Sequence, residues 1–171
     1  TGPLVWWEAR QRRNGWQDTL AKLGISVNQN DWVEGDWTAS SGYEAGQQLL
    51  NQNLDMDAIF VANDQMALGL LKYAHEQGMS IPEDIALVGF DGIPETEYYF
   101  PPLTTVCQDL HTLGCLAVEA MVEIIEKREQ EADKQSDIGD AVIVMDSGML
   151  QPQIIVRESS VLEKSLPVVE N

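Results

Sequence analysis

Apolar residues recur along this chain in two periods, one near 3.6 and one of short unbroken runs, and the two alternate. Residues 5–23 carry Trp16, Leu20 and Leu23 at i, i+4, i+7, and Gly24 follows, which predicts a helix. Asp31-Trp32-Val33-Glu34 reads as a short strand, and Ser40 or Ser41 as the N-cap of a helix carrying Tyr43, Gly46, Leu49 and Leu50. Ala58 to Ala62 is a continuous apolar run, the pattern of a strand covered on both faces in a parallel sheet. Asn63-Asp64 can cap a helix over 64–77 that Gly78 closes, and Ile85 to Phe90 is a second buried-strand run ending at Asp91-Gly92. Strand, helix and strand joined this closely make a βαβ unit, right-handed by default.

Pro94 to Pro102 reads as an irregular loop with an aromatic cluster, Tyr98, Tyr99 and Phe100, and Leu103 to Val106 as extended. A helix over 110–126 places Leu113, Ala117, Met121, Ile124 and Ile125 at helical spacing. Residues 126–140 are charged with no apolar stripe after Ile125, a frayed helix end and a solvated loop. Ala141 to Met145 is a strand run and Ile154-Ile155-Val156 a last short one. There is no internal repeat. The alternation predicts an α/β fold with a parallel sheet.

Composition narrows the partners more than the fold. At 171 residues with 44% apolar content, the chain can build one ordinary core. Its 28 acidic against 10 basic residues give a formal charge of -18. A surface so acidic repels phosphate backbones and anionic lipid, so direct binding of nucleic acid or membrane by these residues is not expected. No apolar run reaches the ~18 residues of a membrane span, and Thr1-Gly2-Pro3 does not begin a signal-peptide pattern. Cys107 and Cys115 fit free thiols in a reducing compartment. With only His75 and His111 and no metal-site spacing, neither metal nor cofactor is expected.

Candidate chemistry lies where predicted strands end, the place where open α/β sheets bind ligands. One strand runs into Gly35-Asp36-Trp37, one into Asn63-Asp64 and one into Asp91. An amide, several carboxylates and an indole form a set that suits a sugar: polar groups pair with vicinal hydroxyls and the indole stacks on the C–H face. Each has a plainer reading. Asn63 and Asp64 are good helix caps, Asp91-Gly92 is an ordinary turn pair, Trp37 could be core, and Arg10, Arg12 and Arg13 could be a solvated face. Nucleotide-binding and nucleophile-elbow motifs are absent. Neither histidine follows a strand end. Asp64 and Asp91 could in principle serve a glycosidase as paired carboxylates.

Longer stretches carry a family resemblance. Val61-Ala62-Asn63-Asp64-Gln65-Met66-Ala67-Leu68-Gly69, Ile81-Pro82-Glu83-Asp84-Ile85-Ala86-Leu87-Val88-Gly89-Phe90-Asp91 and Pro101-Pro102-Leu103-Thr104-Thr105-Val106 resemble motifs of the lactose/galactose repressor family. So do Gly2-Pro3 with Arg12-Arg13-Asn14-Gly15-Trp16, and the closing Val156-Arg157-Glu158-Ser159-Ser160. Gly35 to Gly42 is similar to the lactose-repressor branch more narrowly. The resemblance covers about residues 2–160.

It implies a periplasmic-binding-protein-like (type I) fold, here incomplete. Residues 1–107 and 147–160 would belong to its C-terminal subdomain, 108–146 to a piece of the N-terminal one, and 161–171 to a tail. It implies sugar-hydroxyl ligands at Arg12, Asn63 and Asp91, ring packing by Trp37, and a crossover position near the ligand at Gln108. Leu110 stands where the branch has an aromatic residue. Counting back from Gly15-Trp16 favours Arg12 over Arg13 as the inward arginine.

The implied function is allosteric effector sensing in a cytoplasmic transcriptional repressor, with no catalysis. The effector would be a small-molecule sugar, a galactoside first. The protein would be a homodimer with contacts on the 64–77 helix and residues 98–100. DNA would be bound only through a helix-turn-helix domain outside this chain. A tail without leucine heptads argues against a coiled-coil tetramer. Rival readings are a periplasmic sugar-binding transport protein and, further off, a glycosidase.

Overall fold

The structure, a computed structural model, describes residues 1–52, 56–132 and 150–161. Helices and strands follow in the order α1 (Trp7–Lys22), α2 (Ala39–Gln52), β1 (Ala58–Phe60), α3 (Asp64–Glu76), β2 (Ala86–Asp91), β3 (Thr104–Cys107), α4 (Leu110–Ala132) and β4 (Gln153–Ile155). The chain divides into two compact units, Thr1–Cys107 with Gln153–Asn171, and Gln108–Pro152.

In the first unit the sheet order is β1-β2-β3-β4. β1 and β2 pair in parallel with Ile59 opposite Leu87, and β2 and β3 with Asp91 opposite Cys107. β4 joins antiparallel, Val106 opposite Ile154. One face of the sheet, with Ile59, Leu87 and Leu103, packs against Met66, Leu70, Leu71 and Tyr73 of α3. The opposite face is only half covered. Ala86, Val88 and Phe90 alternate with the buried positions at intermediate exposure, so the strands are one-sided where the apolar runs predicted burial on both faces. Apolar residues on the thinly covered face keep the run unbroken in sequence, which conceals the asymmetry.

α3 is started by Asn63, whose Oδ1 accepts from Met66 N at 2.9 Å. α2 and α3 are the most extensively packed pair of elements, and they meet backbone to backbone at Gly42 and Gly69. A Cβ on Gly69 would sit 2.6 Å from Tyr43 N and 2.8 Å from the Ala39 carbonyl carbon, so no larger residue fits without parting the helices.

Several local expectations shift. Residues 29–31 form a 3-10 turn and 32–36 are extended without a strand ladder. The partner of this segment is the chain start: Thr1 N donates to Val33 O at 2.6 Å and Gly35 N to Thr1 O at 2.8 Å. α2 begins earlier than Ser40 or Ser41 predicts, because Thr38 Oγ1 accepts from Ser41 N at 3.2 Å. α4 continues through Ala132, past the predicted end near 126. Its Lys-Arg-Glu-Gln-Glu-Ala stretch is made of strong helix formers, and Lys127 pairs with Glu123 one turn back at 2.5 Å. In the aromatic loop, Tyr98 and Phe100 are exposed while Tyr99 packs against the core. The run 141–145 and the tail from 162 lie outside the described residues.

The closing segment staples the sheet. Ser159 Oγ donates to Leu87 O at 2.6 Å and accepts from Thr104 N at 2.8 Å. Arg157 reaches Leu103 O at 2.8 Å and Thr96 Oγ1 at 3.1 Å. These bonds tie β2, β3 and the loop between them to one short turn.

In the second unit, α4 is capped by Asp109, which accepts from Thr112 N at 2.9 Å and Thr112 Oγ1 at 2.6 Å. Its apolar residues Leu113, Met121 and Ile125 are about half exposed.

Candidate functional site

At the carboxyl ends of β1 and β2 the first unit gathers four side chains from four segments. Arg12 comes from α1, Trp37 from the turn before α2, Asn63 from the cap of α3 and Asp91 from the last residue of β2. The Arg12 guanidinium donates to Ala62 O at 2.5 Å and pairs with Asp91 Oδ1 at 3.2 Å. It lies 3.9 Å from the Phe90 ring centroid and 5.6 Å from that of Trp37. A planar, permanently charged guanidinium can serve a carbonyl, a carboxylate and a ring face together, which a lysine cannot. Arg13 points elsewhere, 5.0 Å over Trp32. Of the two arginines, Arg12 is thus the one in the cluster.

Asp91 and Trp37 are both held in unusual backbone conformations, at φ 112° and φ 76°. Left-handed backbone at bulky or non-glycine positions costs roughly 1–2 kcal/mol and persists only when neighbours impose it. For Trp37 those neighbours are visible. Asn63 Nδ2 donates to the Trp37 carbonyl at 3.0 Å, and Thr38 donates to Asp36 Oδ1 from its amide at 3.0 Å and its hydroxyl at 2.6 Å. The indole stands edge-on to Trp6, with centroids 6.4 Å apart. Asn63 is therefore a helix cap and a brace for Trp37 at once, with one N–H and one lone pair left on its amide.

The carboxylates differ in setting. Burial raises the Asp91 pKa, and Asp64 nearby raises it further, against the lowering pull of Arg12. Asp64 is buried, which raises its pKa, while Thr105 and the backbone of Ile93, Gly92 and Phe90 lower it by hydrogen bonding. Asp36 is fully exposed and is held below the usual carboxylate range by Thr38 first and Ser41 second.

The arrangement offers a charged donor, a carboxylate acceptor, an amide and two aromatic faces within one cluster. Groups of these kinds suit a polyhydroxylated or planar polar ligand. Among the described residues no group of three or more His, Cys, Asp or Glu is placed to hold a metal ion, and no helix is long and apolar enough to cross a membrane. Gln108, the fifth expected site residue, opens the second unit. Sequence reasoning missed the supports of the site: Phe90 under Arg12, the Ala62 carbonyl, and Asp64 with Thr105. The partners of Asp64 lie 28 to 41 residues away, so no local pattern announces them.

The family profile of periplasmic binding protein-like domains matches residues 5–147. Among curated proteins, the chain is 39% identical to the lactose operon repressor of Escherichia coli (strain K12) over 123 residues, 72% of this chain and 34% of that protein. It is 35% identical over 159 residues to the HTH-type transcriptional repressor PurR of Pasteurella multocida (strain Pm70), 92% of this chain and 43% of that one. The fold matches the lac repressor dimer bound to operator and the anti-inducer ONPF with TM-score 0.73 and 30% identity, over 94% of this chain and 51% of that chain. It matches the CelR–cellobiose complex, also a transcriptional regulator, with TM-score 0.74 and 29% identity, over 94% and 45%.

The chain belongs to the periplasmic binding protein-like family, as a partial effector-binding domain of the lactose/galactose repressor type. Its curated relatives of this type are transcriptional repressors, and it spans well under half the length of these two.

Proposed function

We propose that these residues form the effector-sensing part of a transcriptional repressor, with Arg12, Trp37, Asn63 and Asp91 as ligand contacts. The observation that carries the reading is the Arg12–Asp91 pair laid on Phe90 beside Trp37. A sugar hydroxyl can bridge such a pair, donating to the carboxylate and accepting from the guanidinium, while a ring face covers its C–H side. Gln108 is the fifth proposed ligand contact. Residues 1–107 with 147–160 act as one subdomain of the binding domain and 108–146 as part of the other.

The effector is a galactoside, and the protein acts as a cytoplasmic homodimer without catalysis. α3 and the exposed Tyr98 and Phe100 provide its contacts. DNA is gripped by a helix-turn-helix domain outside these residues, consistent with the surplus of negative charge here. Ligand shifts the dimer between two states by no more than its differential affinity for them.

The test is a titration of the full-length protein with galactosides, followed by tryptophan fluorescence, with Trp37→Phe as control. A saturable change that vanishes in the control supports the pocket and the ligand class. A folded protein that gives no change removes galactosides and moves the search to other sugars and to purines. Normal induction with Asp91→Asn in the intact regulator would overturn the site.

A further inference from the structure

Resting on that reading of the site, we propose that Asp64 is a positioning residue for Asp91: it holds the turn that aims the Asp91 carboxylate at ligand and at Arg12. Asp64 is the first residue of α3 and 1% exposed. Its Oδ2 accepts from two consecutive amides that directly follow Asp91, Gly92 N at 2.8 Å and Ile93 N at 3.0 Å. Its Oδ1 accepts from Thr105 Oγ1 at 2.7 Å, and that hydroxyl also lies 3.2 Å from Gly92 N.

Three features show that the turn is built around this carboxylate. Gly89 leaves the room it needs, since a Cβ there would overlap Oδ1 and lie 2.8 Å from Leu103 Cδ2. Gly92 takes φ 73°, and its amide meets Asp64 Oδ2. Asp91 between them takes φ 112°, a conformation an aspartate adopts only under constraint. Two amides converging on one oxygen supply that constraint. Without it Asp91 relaxes to negative φ and its side chain swings away from Arg12. Asp64 therefore touches no ligand and acts through Asp91.

The test uses the full-length protein with Asp64→Ala, Asp64→Asn, Thr105→Val, Asp91→Ala and the Asp64→Ala/Asp91→Ala double variant. The first readout needs no ligand. With ¹⁵N-labelled glycine, isoleucine and arginine, the Gly92 and Ile93 amides should be slow to exchange and shifted by the carboxylate. Asp64→Ala should abolish this and alter the Arg12 signal, and Asp64→Asn, which keeps an acceptor oxygen, should restore it in part. Unchanged signals in a folded Asp64→Ala protein overturn the proposal.

The second readout is affinity for methyl β-galactoside. Asp64→Ala should weaken it roughly tenfold to hundredfold, as misplacement of a binding group does. The double variant should be no weaker than Asp91→Ala alone. Losses that add instead show that Asp64 acts independently and overturn the proposal. If the wild-type protein ignores the galactoside, the ligand class fails while the labelled amides still decide the role of Asp64. Should Asp64→Ala not fold, Thr105→Val, close in volume, must produce the same shifts to a smaller degree, and its silence overturns the proposal.

Discussion

Replacing Gly69 by alanine should damage the protein although alanine is the better helix former. The change adds one methyl in the middle of α3, directly against the backbone of α2. That methyl would lie 2.6 Å from Tyr43 N and 2.8 Å from the Ala39 carbonyl carbon. Ordinary contact begins near 3.4 Å, and neither atom belongs to a side chain that can rotate away. α2 and α3 must therefore part by about 1 Å, a gap that forfeits a quarter to a half of the dispersion between facing atoms. Tyr43 and Tyr73, with rings 5.3 Å apart edge to face, lie on that seam. Overpacking costs up to about 3 kcal/mol, and the helix propensity of alanine returns at most about 1 kcal/mol. The net loss should be about 2 kcal/mol, read as a lower urea midpoint at unchanged slope. The same substitution at Gly15 meets nothing within 4 Å and should instead stabilise by about 0.5–1 kcal/mol. Opposite signs for one chemical change are the expected result. A Gly69→Ala protein within about 0.5 kcal/mol of wild type would refute the argument. Asn63 and Asp64 sit at the start of α3, so ligand affinity should fall along with stability.

Two further outcomes follow from the structure. Ser159→Ala leaves the buried Leu87 carbonyl and Thr104 amide without their partner, and should cost about 2–4 kcal/mol in chemical denaturation. Arg12→Lys keeps the charge but cannot serve Ala62 O, Asp91 and the Phe90 face together. Fluorescence titration of the full-length protein should show affinity at least tenfold weaker, with stability changed by less than about 1 kcal/mol.

Local chemistry alone determined the α/β class and the order of helices and strands from α2 to α4. Asn63 capping α3, and the apolar runs that became β1 and β2, were legible because period, capping side chains and chain punctuation act within a few residues. Residue matches to the family singled out Arg12, Trp37, Asn63 and Asp91, and the first unit gathers them. Tertiary structure decided the rest. It left one face of the sheet half covered, carried α4 past its apolar stripe, and paired residues 33–35 with Thr1. It alone revealed that Asn63 braces Trp37, that Asp64 holds the turn after Asp91, and that Ser159 fastens β2 to β3. Those contacts join residues 26 to 72 apart in the chain. Which buried donor meets which acceptor across such distances is fixed by packing, because each group must find a partner once water is excluded.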